Sequence, residues 1–186
     1  MPTIENAKIL IIATHGFEQS ELEFPRDQLR AKGADVHVAT LDGKAIKGWE
    51  GSDWGRDAEA DLKIADAKVG DYDALVLPGG QINPDLLRVD KDAIALIKGF
   101  FDHGKIIAAV CHAPWLLIEA GIVEGREMTS YHSIKTDMIN AGAKFVDQPV
   151  ATDRGIVTSR NPNDLKDFVS KIVEEVEEGT HARKAA

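Results

Sequence analysis

The stretch that decides the fold is Lys105-Ile-Ile-Ala-Ala-Val-Cys-His-Ala-Pro-Trp-Leu-Leu-Ile-Glu119. Its apolar residues 106–110 predict a buried strand, and the segment after them predicts a helix. Because no loop separates the two, Cys111 is expected on the turn itself, beside the first free backbone amides of the helix. Small residues stand two positions to either side, at Ala109 and Ala113. The stretch therefore predicts a nucleophile elbow with cysteine as the nucleophile.

Strands and helices alternate on both sides of this elbow. Apolar runs at 8–13, 35–40 and 73–77 predict further buried strands, separated by segments with helical spacing. Short loops between such elements are typical of a parallel sheet, so we expect an α/β fold, an open sandwich with helices on both faces. In that architecture ligands bind beyond the carboxyl ends of the strands, where loops 14–21 and 78–85 would lie beside the elbow.

Several other segments carry weaker patterns. Residues 41–54 are rich in glycine and tryptophan and predict a short hairpin, and residues 62–68 predict a short helix. A short strand is expected at 128–132. Pro25 is expected in the first turn of the first helix, the position at which proline fits best.

Composition limits the class of protein. The chain has 186 residues, 44% of them hydrophobic, which is enough for one domain, expected at residues 1–178, followed by a flexible tail at 179–186. Its net charge of −9 argues against nucleic acid or an anionic membrane as a partner. A transmembrane run and a signal peptide are not apparent, which predicts a cytoplasmic protein. The single cysteine permits no intrachain disulfide.

The candidate nucleophile and its neighbour each have two interpretations. A helix N-terminus lowers the pKa of a thiol, so Cys111 is expected to be reactive, although a lone cysteine can also be a small buried hydrophobe. His112 can act as a base or through its backbone amide, or it can be an ordinary surface histidine.

Two carboxylates and a glycine pair lie in the neighbouring loops. Glu18 and Glu21 would share a helix face, on the same side of the sheet as Cys111, or they would only stabilise a helix N-terminus. A carboxyl in contact with a thiolate is usually protonated and can transfer protons. Gly79 and Gly80 can direct amides toward an oxyanion or form an ordinary turn. The sequence contains no phosphate-binding motif and no convincing set of metal ligands, so neither a cofactor nor a metal is predicted.

Taken together, the motifs resemble a known family. They are Gly16-Phe-Glu-Gln-Ser-Glu21 with Pro25, Asp73-Ala-Leu-Val-Leu-Pro-Gly-Gly80, Ala109-Val-Cys-His-Ala-Pro114, Thr129-Ser-Tyr131 with Asp137-Met-Ile-Asn-Ala-Gly142, and Thr158-Ser-Arg160. The chain resembles the PfpI/ThiJ family of the class I glutamine amidotransferase-like superfamily, whose PfpI-type members are intracellular cysteine proteases, amidases or deglycases. The resemblance implies a flavodoxin-like sandwich with a mostly parallel central sheet.

The resemblance also implies roles for particular residues. Cys111 would be the nucleophile with His112 beside it, and Glu21 would face the thiol with Glu18 close by. Asp85 would reach the Cys-His pair of a neighbouring subunit, which implies self-association as a dimer or larger ring. Arg56 resembles a family arginine that approaches the site across a dimer, and Tyr131 belongs to one of the matching motifs. His132 stands where relatives often carry proline and would add a second imidazole near the pocket. With Gly79 and Gly80 they are the predicted substrate-binding residues.

Two departures from the family pattern affect these expectations. Ala113 replaces the glycine of the usual Cys-His-Gly-Pro, which is compatible with a tight elbow if its φ is negative. Asp85 replaces a longer glutamate, and loop 81–83 before it is one residue longer than usual, so the triad between subunits is affected more than the thiol.

Three functions fit these residues. The first is a cysteine-dependent stress-response enzyme that acts on reactive carbonyls such as methylglyoxal or on their protein adducts, as in glyoxalase III and the deglycases. The second is an intracellular peptidase or amidase with Cys111, His112 and Asp85 as its triad. The third is a redox sensor without enzymatic activity, which responds through oxidation of Cys111.

Overall fold

The computed structural model describes residues 3–181, which contain twelve strands and six α-helices. In chain order the strands are β1 (Lys8–Ile12), β2 (Phe17–Glu18), β3 (Asp35–Thr40), β4 (Ile46–Glu50), β5 (Asp53–Ala58), β6 (Leu62–Lys63), β7 (Ala74–Leu77), β8 (Ile106–Val110), β9 (Glu127–Met128), β10 (Lys144–Phe145), β11 (Val150–Asp153) and β12 (Ile156–Ser159). The helices are α1 (Gln19–Ala31), α2 (Ile82–Leu87), α3 (Lys91–Asp102), α4 (Pro114–Glu119), α5 (Lys135–Asn140) and α6 (Leu165–Glu178).

Seven of the strands form one central sheet in the order β11-β12-β8-β7-β1-β3-β6. All neighbours in it are parallel except β11, which pairs antiparallel with β12. The five central strands β3, β1, β7, β8 and β12 therefore have the flavodoxin order 2-1-3-4-5. This confirms the open, mostly parallel sandwich that was expected from the sequence.

The sheet is buried on both faces, which explains why its strands are continuous apolar runs. In β1, Ile9 and Ile11 pack on the face covered by α1 and α6, whereas Leu10 and Ile12 pack on the face covered by α3 and α4. The helix residues buried on the first face are Leu22, Leu29, Phe168, Val169, Ile172 and Val176. Those buried on the second face are Ala93, Leu96, Ile97, Phe100, Leu116 and Leu117.

The topology brings three loops to one edge of the sheet. Strands β1, β7 and β8 are adjacent and parallel, so the loops at their carboxyl ends meet. These loops hold Thr14 to Glu18, the Pro78-Gly79-Gly80 turn and the Cys111 elbow. The order of the strands reverses between β1 and β7, and α/β sheets bind ligands at such a point.

A second, smaller sheet lies beside this edge. Strands β4 and β5 form the hairpin that the sequence predicted, and it extends further than expected, to Ala58. Strand β2, which was not anticipated, pairs in parallel with β4. The hairpin thereby lies against the loop that follows β1.

Other local predictions were wrong. Helix α1 begins at Gln19, so Pro25 lies in its second turn, not its first. Residues 62–68 form the two-residue strand β6 and a 3-10 turn instead of a helix. Only Glu127 and Met128 form a strand in the region where one was expected at 128–132. The last two of these segments are short, and pairing of β6 with β3 and of β9 with β10 outweighs local preference there.

The described part of the chain ends shortly after helix α6. Helix α6 ends at Glu178, and of the expected flexible tail only residues 179–181 are described, with 182–186 outside the described residues. Between residues 3 and 181 no helix is long and apolar enough to cross a bilayer.

A buried ion pair links the outer strand β11 to the chain that enters β9. Arg126 is 4% exposed, and its Nη1 lies 3.2 Å from Oδ1 of Asp153. The Glu127 amide donates to Oδ2 of the same carboxylate at 3.0 Å. Burial opposes ionisation of this carboxyl, but the hydrogen bonds from Arg154 and the Glu127 amide outweigh it and lower the pKa of Asp153. The carboxylate therefore favours the folded state at neutral pH.

We expect Asp153→Asn to lower the free energy of unfolding by about 2 kcal/mol, because the charged hydrogen bonds that Arg126 and Arg154 donate to this carboxylate would become neutral ones. Urea unfolding at pH 7 measures this. The deficit should shrink as the pH falls below about 4, where the wild-type carboxylate becomes protonated as well. The control is Asp147→Asn, since Asp147 is 79% exposed in its pair with Arg160, and the expected loss is under about 1 kcal/mol. Equal losses in the two variants would contradict the account.

Candidate active site

The elbow has the strained backbone that the sequence suggested. Cys111 has φ of +63°, in the left-handed region that non-glycine residues seldom adopt. Two hydrogen bonds hold it there: its amide donates to the Ser159 carbonyl at 3.0 Å, and its carbonyl accepts from the Tyr131 amide at 2.8 Å. Ala113, which takes the place of the usual glycine, has φ of −58° and needs no glycine. The substitution is therefore compatible with the elbow.

Glu21 lies directly against the cysteine, as the resemblance implied. It is in the first turn of α1 and fully buried. Its Oε2 accepts a hydrogen bond from the Gly79 amide at 2.9 Å, and the carboxyl also bonds with the Cys111 thiol. Among the described residues Oε1 has no other hydrogen-bond partner. Burial raises the pKa of Glu21 to about 8, so the carboxyl carries a proton at neutral pH.

The pKa of the Cys111 thiol is not lowered, although the thiol lies at a helix N-terminus. Burial raises the pKa of Cys111, and a negative charge on Glu21 would raise it further. The amides of Gly80 and His112 oppose this by donating to the sulfur. The expected lowering of the thiol pKa is therefore overturned. Both the carboxyl and the thiol are therefore protonated at neutral pH, because burial opposes either charge and two adjacent anions would repel.

His112 turns back toward the sulfur although the two residues are neighbours in sequence. Its Nδ1 lies 3.2 Å from Cys111 Sγ, and its Nε2 lies 3.1 Å from Ser133 Oγ. Burial lowers the pKa of His112, and the nearby His132 lowers it further, so the ring is neutral at pH 7. If Nε2–H donates to Ser133, the lone pair of Nδ1 faces the sulfur. Sequence reasoning missed Ser133, because a lone serine in a loop carries no recognisable signal.

Aromatic rings fix the orientation of this imidazole. Tyr131 stacks on His112 with ring centroids 4.7 Å apart, and Trp115 meets it edge-on at 5.3 Å. His132 lies on the other side of Tyr131, at 4.3 Å. The indole of Trp115 is itself held by a hydrogen bond to Asp137 of 2.8 Å. Tyr131 therefore contacts the His112 ring and His132 lies next to Tyr131, while their roles around a substrate stay predictions.

The glycine turn after β7 supports the cysteine from the other side. The side chain of Asn83 is buried and holds the turn, donating to the carbonyls of Pro78 and Gly79 and accepting from the Thr14 amide at 2.7 Å. The Gly79 amide donates to Glu21, so it is not available to an oxyanion, and for Gly80, whose amide donates to the sulfur, that role stays a prediction. Asn83 was not singled out from the sequence, since its role depends on the two loops that meet there.

A cavity of about 480 Å³ opens over these groups. It is lined by Glu18, Glu21, Trp49, Gly51, Gly80, Gln81, Cys111, His112, Tyr131, Ser133 and Pro162. Burial raises the pKa of Glu18, and Glu50 raises it further. Trp49 comes from the hairpin and forms part of the wall.

Two predicted residues lie outside the cavity of this chain. Asp85 is exposed in the first turn of α2 and does not line the cavity. Arg56 pairs with Glu23 on the surface, with 2.6 Å between Nη2 and Oε2. Neither contributes to the site from within the same chain.

Known proteins resemble this chain in sequence and in fold. The model of the DJ-1/PfpI family matches residues 7–175, which include the elbow, Glu21 and the glycine turn. The chain belongs to the DJ-1/PfpI family.

Relatives in this family carry enzymatic names. The chain is 37% identical over 166 residues to "Deglycase PfpI" of Pyrococcus furiosus, covering 89% of this chain and 97% of the relative. It is 39% identical over 163 residues to "Protein/nucleic acid deglycase 2" of Escherichia coli, covering 87% and 92%. The solved structure of DJ-1beta from Drosophila melanogaster is similar with a TM-score of 0.83 and 31% identity, covering 93% of this chain and 95% of that one.

The packing at Gly79 gives a sharp test of the site. A Cβ there would lie 2.5 Å from Glu21 Oε2 and 2.7 Å from Cys111 Cβ, closer than such atoms approach. We expect Gly79→Ala to separate the carboxyl from the thiol and change the rate at which iodoacetamide alkylates Cys111 at least tenfold. Gly70→Ala is the matched control, because its Cβ would meet nothing within 4 Å. Equal alkylation rates in the wild type and Gly79→Ala would contradict the packing described.

The raised pKa of Glu21 also predicts how stability depends on pH. Between about pH 5 and 8 the folded state keeps a proton that the unfolded state has lost, so stability falls as the pH rises. Glu21→Gln removes this term. As the pH rises through that window, the free energy of unfolding of Glu21→Gln should increase relative to that of the wild type by about 1.4 kcal/mol for each pH unit.

Urea unfolding at several pH values measures the difference, and Glu23→Gln, two residues along the same helix, is the control. Parallel pH profiles for Glu21→Gln and the wild type would show that the carboxyl is ionised in the folded protein.

Proposed function

We propose that this protein is a cysteine-dependent enzyme that acts on reactive carbonyls such as methylglyoxal or on their adducts with protein amines. The observation that carries the proposal is the fully buried Glu21 carboxyl in contact with the Cys111 thiol. A nucleophile that merely hydrolyses acyl groups needs no protonated acid against its sulfur. A nucleophile whose substrate must move a proton between neighbouring carbons does, and the deglycase names of the relatives support this class.

The first step is addition of sulfur to the aldehyde. The thiol proton passes to His112 Nδ1, which lies 3.2 Å away and belongs to a neutral ring. The C–S bond forms as the carbonyl π bond breaks. The new oxyanion is stabilised by the amides of Gly80 and His112, which already point at the sulfur. It then takes the proton from the ring, and the product is a hemithioacetal.

The second step moves a proton between carbons. Glu21, ionised in a fraction of molecules near neutral pH, takes a proton from the former aldehyde carbon, which gives an enediolate, and returns it to the neighbouring carbon. The hydroxyl proton of the hemithioacetal passes to the oxygen on that neighbouring carbon, so that the first carbon becomes the thioester carbonyl. A carboxyl with a pKa of about 8 is suited to both halves of this transfer, because its pKa lies close to the operating pH. The product is a thioester of a 2-hydroxy acid, and water hydrolyses it to restore the thiol. One water is consumed, and no oxidant, metal or cofactor takes part.

The size and walls of the cavity fit this substrate class. A volume of about 480 Å³ is large for a three-carbon dicarbonyl but suits one that is attached to an amine or a side chain. The same attack by Cys111 on such an adduct, followed by hydrolysis, would release the amine. Glu18 at the rim supplies a second carboxyl with a raised pKa beside the entering substrate.

A cysteine peptidase or amidase is the second candidate. The contacts from Cys111 to His112 and from His112 to Ser133 favour it, because they form a nucleophile, a base and an orienting group within one chain. In this version the third member is Ser133 and not Asp85. Peptide hydrolysis that is lost in Ser133→Ala but retained in Asp85→Ala would support it.

Self-association is also part of the proposal. Helix α2, which carries Asp85, exposes two apolar residues, Ile82 and Leu86, and Val89, two residues past the end of the helix, is 79% exposed. A second copy that covered this helix would bring Asp85 close to another chain. Sedimentation of Val89→Asp against the wild type tests this: a shift toward the monomer is expected, and unchanged sedimentation would contradict it.

The activity prediction compares three variants with methylglyoxal as substrate and hydroxy-acid formation as the readout. Cys111→Ala should have no activity. Glu21→Gln should lose at least about 100-fold in kcat/KM, because general acid–base catalysis contributes about that much. Glu23→Gln should keep wild-type activity, since its carboxylate pairs with Arg56 outside the cavity.

Full turnover by Glu21→Gln would contradict the carbonyl mechanism. The alternative is a redox sensor. It would be supported if the wild type turns over none of the three substrates, methylglyoxal, a peptide and a chromogenic amide, and if mild peroxide adds two oxygens at Cys111. A cytoplasmic location remains a prediction, which a fluorescent fusion of the full chain would test.

A further inference from the structure

A second cluster of ligand-type side chains lies at the opposite edge of the sheet. It consists of Glu175, Glu178 and His181, whose ligand atoms all lie within 4.8 Å of one another. The loops beneath it contain Gly104 and Gly155, which precede β8 and β12, whereas Cys111 follows the far end of β8. The cluster is therefore separated from the catalytic cavity by the length of the central strands.

The central carboxylate of this cluster is buried without a hydrogen bond on one oxygen. The side chain of Glu175 is 4% exposed. Its Oε1 is paired with Lys171 at 3.3 Å, which leaves Oε2 directed at the imidazole of His181. Glu175 Oε2 and His181 Nε2 lie 3.2 Å apart, yet within residues 3–181 neither atom has a hydrogen-bond partner. The two atoms form an ion pair with each other only when the imidazole is protonated. A cation between them would instead satisfy a lone pair on each atom.

His181 is held in place by two loops, those at Gly104 and Gly155, which together we call the cradle. The His181 amide donates to the Gly104 carbonyl at 2.9 Å. The ring lies over Gly155, where a Cβ would come within 2.6 Å of Cδ2. A Cβ on Gly104 would likewise lie 2.5 Å from the His181 carbonyl oxygen. Two glycines thus make room for the backbone and ring of one residue, which fixes the position of its Nε2.

We propose that Glu175, Glu178 and His181 form a binding site for a divalent transition-metal ion of the zinc class. In a tetrahedral zinc site with bonds of about 2.0 Å, neighbouring ligand atoms are about 3.3 Å apart, which matches the 3.2 Å between Oε2 and Nε2. Imidazole with carboxylates is a donor set that suits zinc, and two carboxylates balance its charge. The exposed Glu178 leaves the fourth position to water.

The spacing of Glu175, Glu178 and His181 in the sequence does not indicate a metal site. Glu175 and Glu178 lie three residues apart on one face of α6. A histidine six residues after Glu175 would point elsewhere on a continuous helix, since each residue turns by about 100°. Gly179 ends the helix with φ of +91° and turns the chain back, which brings His181 over the two carboxylates. The expectation of no metal site was drawn from a pattern that lacks this turn.

The bound ion would tie the end of the chain to the body of the domain. It would join α6 to residue 181, and through the cradle to the loops that begin β8 and β12. Binding to the folded state alone should therefore raise the melting temperature, by an amount that grows with the logarithm of the ratio of free ion to dissociation constant.

The test measures Zn²⁺ binding by competition with a chromogenic chelator. Every protein carries Cys111→Ser, so that the catalytic thiol cannot compete for the metal. We expect the parent to bind one equivalent of Zn²⁺ and to melt at a higher temperature with it. His181→Ala and Glu178→Gln should each weaken binding at least tenfold and abolish the thermal shift. Glu178 is exposed at the helix end, so its substitution leaves the fold intact.

His103→Ala is the matched control, because it removes another loop histidine whose ring bonds only the Gly99 carbonyl. It should bind Zn²⁺ as the parent does. A parent protein that takes up no stoichiometric Zn²⁺, or His181→Ala and Glu178→Gln variants that bind as tightly as the parent, would overturn the proposal.

Discussion

The structure of the candidate site depends on one contact, that of the buried Glu21 carboxyl with the Cys111 thiol. The two groups come from the ends of different strands and cannot both be charged where they lie, so the site is built to hold a proton between them. The Gly79 amide fixes one carboxyl oxygen, and Gly79 must be a glycine because a larger residue would enter the contact itself. Asn83 then holds the glycine turn in place.

This constraint also explains why the strain at the elbow is tolerated. The left-handed backbone of Cys111 is unfavourable by itself, and hydrogen bonds to Ser159 and Tyr131 maintain it. The strain aims the sulfur at Glu21 and brings the His112 ring back to within 3.2 Å of it. A neutral imidazole on one side and a protonated carboxyl on the other give the sulfur two proton partners with different pKa values. That arrangement suits a reaction in which one proton leaves sulfur and another moves between carbons.

Much of the fold and part of the site could be predicted from the sequence. The continuous apolar run at 106–110 and its direct connection to a helix identified β8 and the elbow, because burial on both faces leaves that signature. Glu21 was identified through the family motif, since helical spacing alone did not separate it from Glu18. Ser133, Asn83 and Trp49 were missed, because their roles come from loops and a hairpin that meet only in three dimensions. The direction of the thiol pKa was wrong, since burial by distant residues outweighs the local helix end.

The proposed chemistry requires that Glu21 is protonated in the resting protein. Carbon-13 NMR of glutamate side-chain carboxyls, recorded across pH 4 to 10, measures it directly, and Glu21→Gln assigns the resonance. The account predicts one carboxyl, absent from Glu21→Gln, that titrates near pH 8. If the resonance of Glu21 instead titrates below pH 6, the carboxyl is ionised beside the sulfur, and it cannot hold the proton on which the proposed chemistry depends.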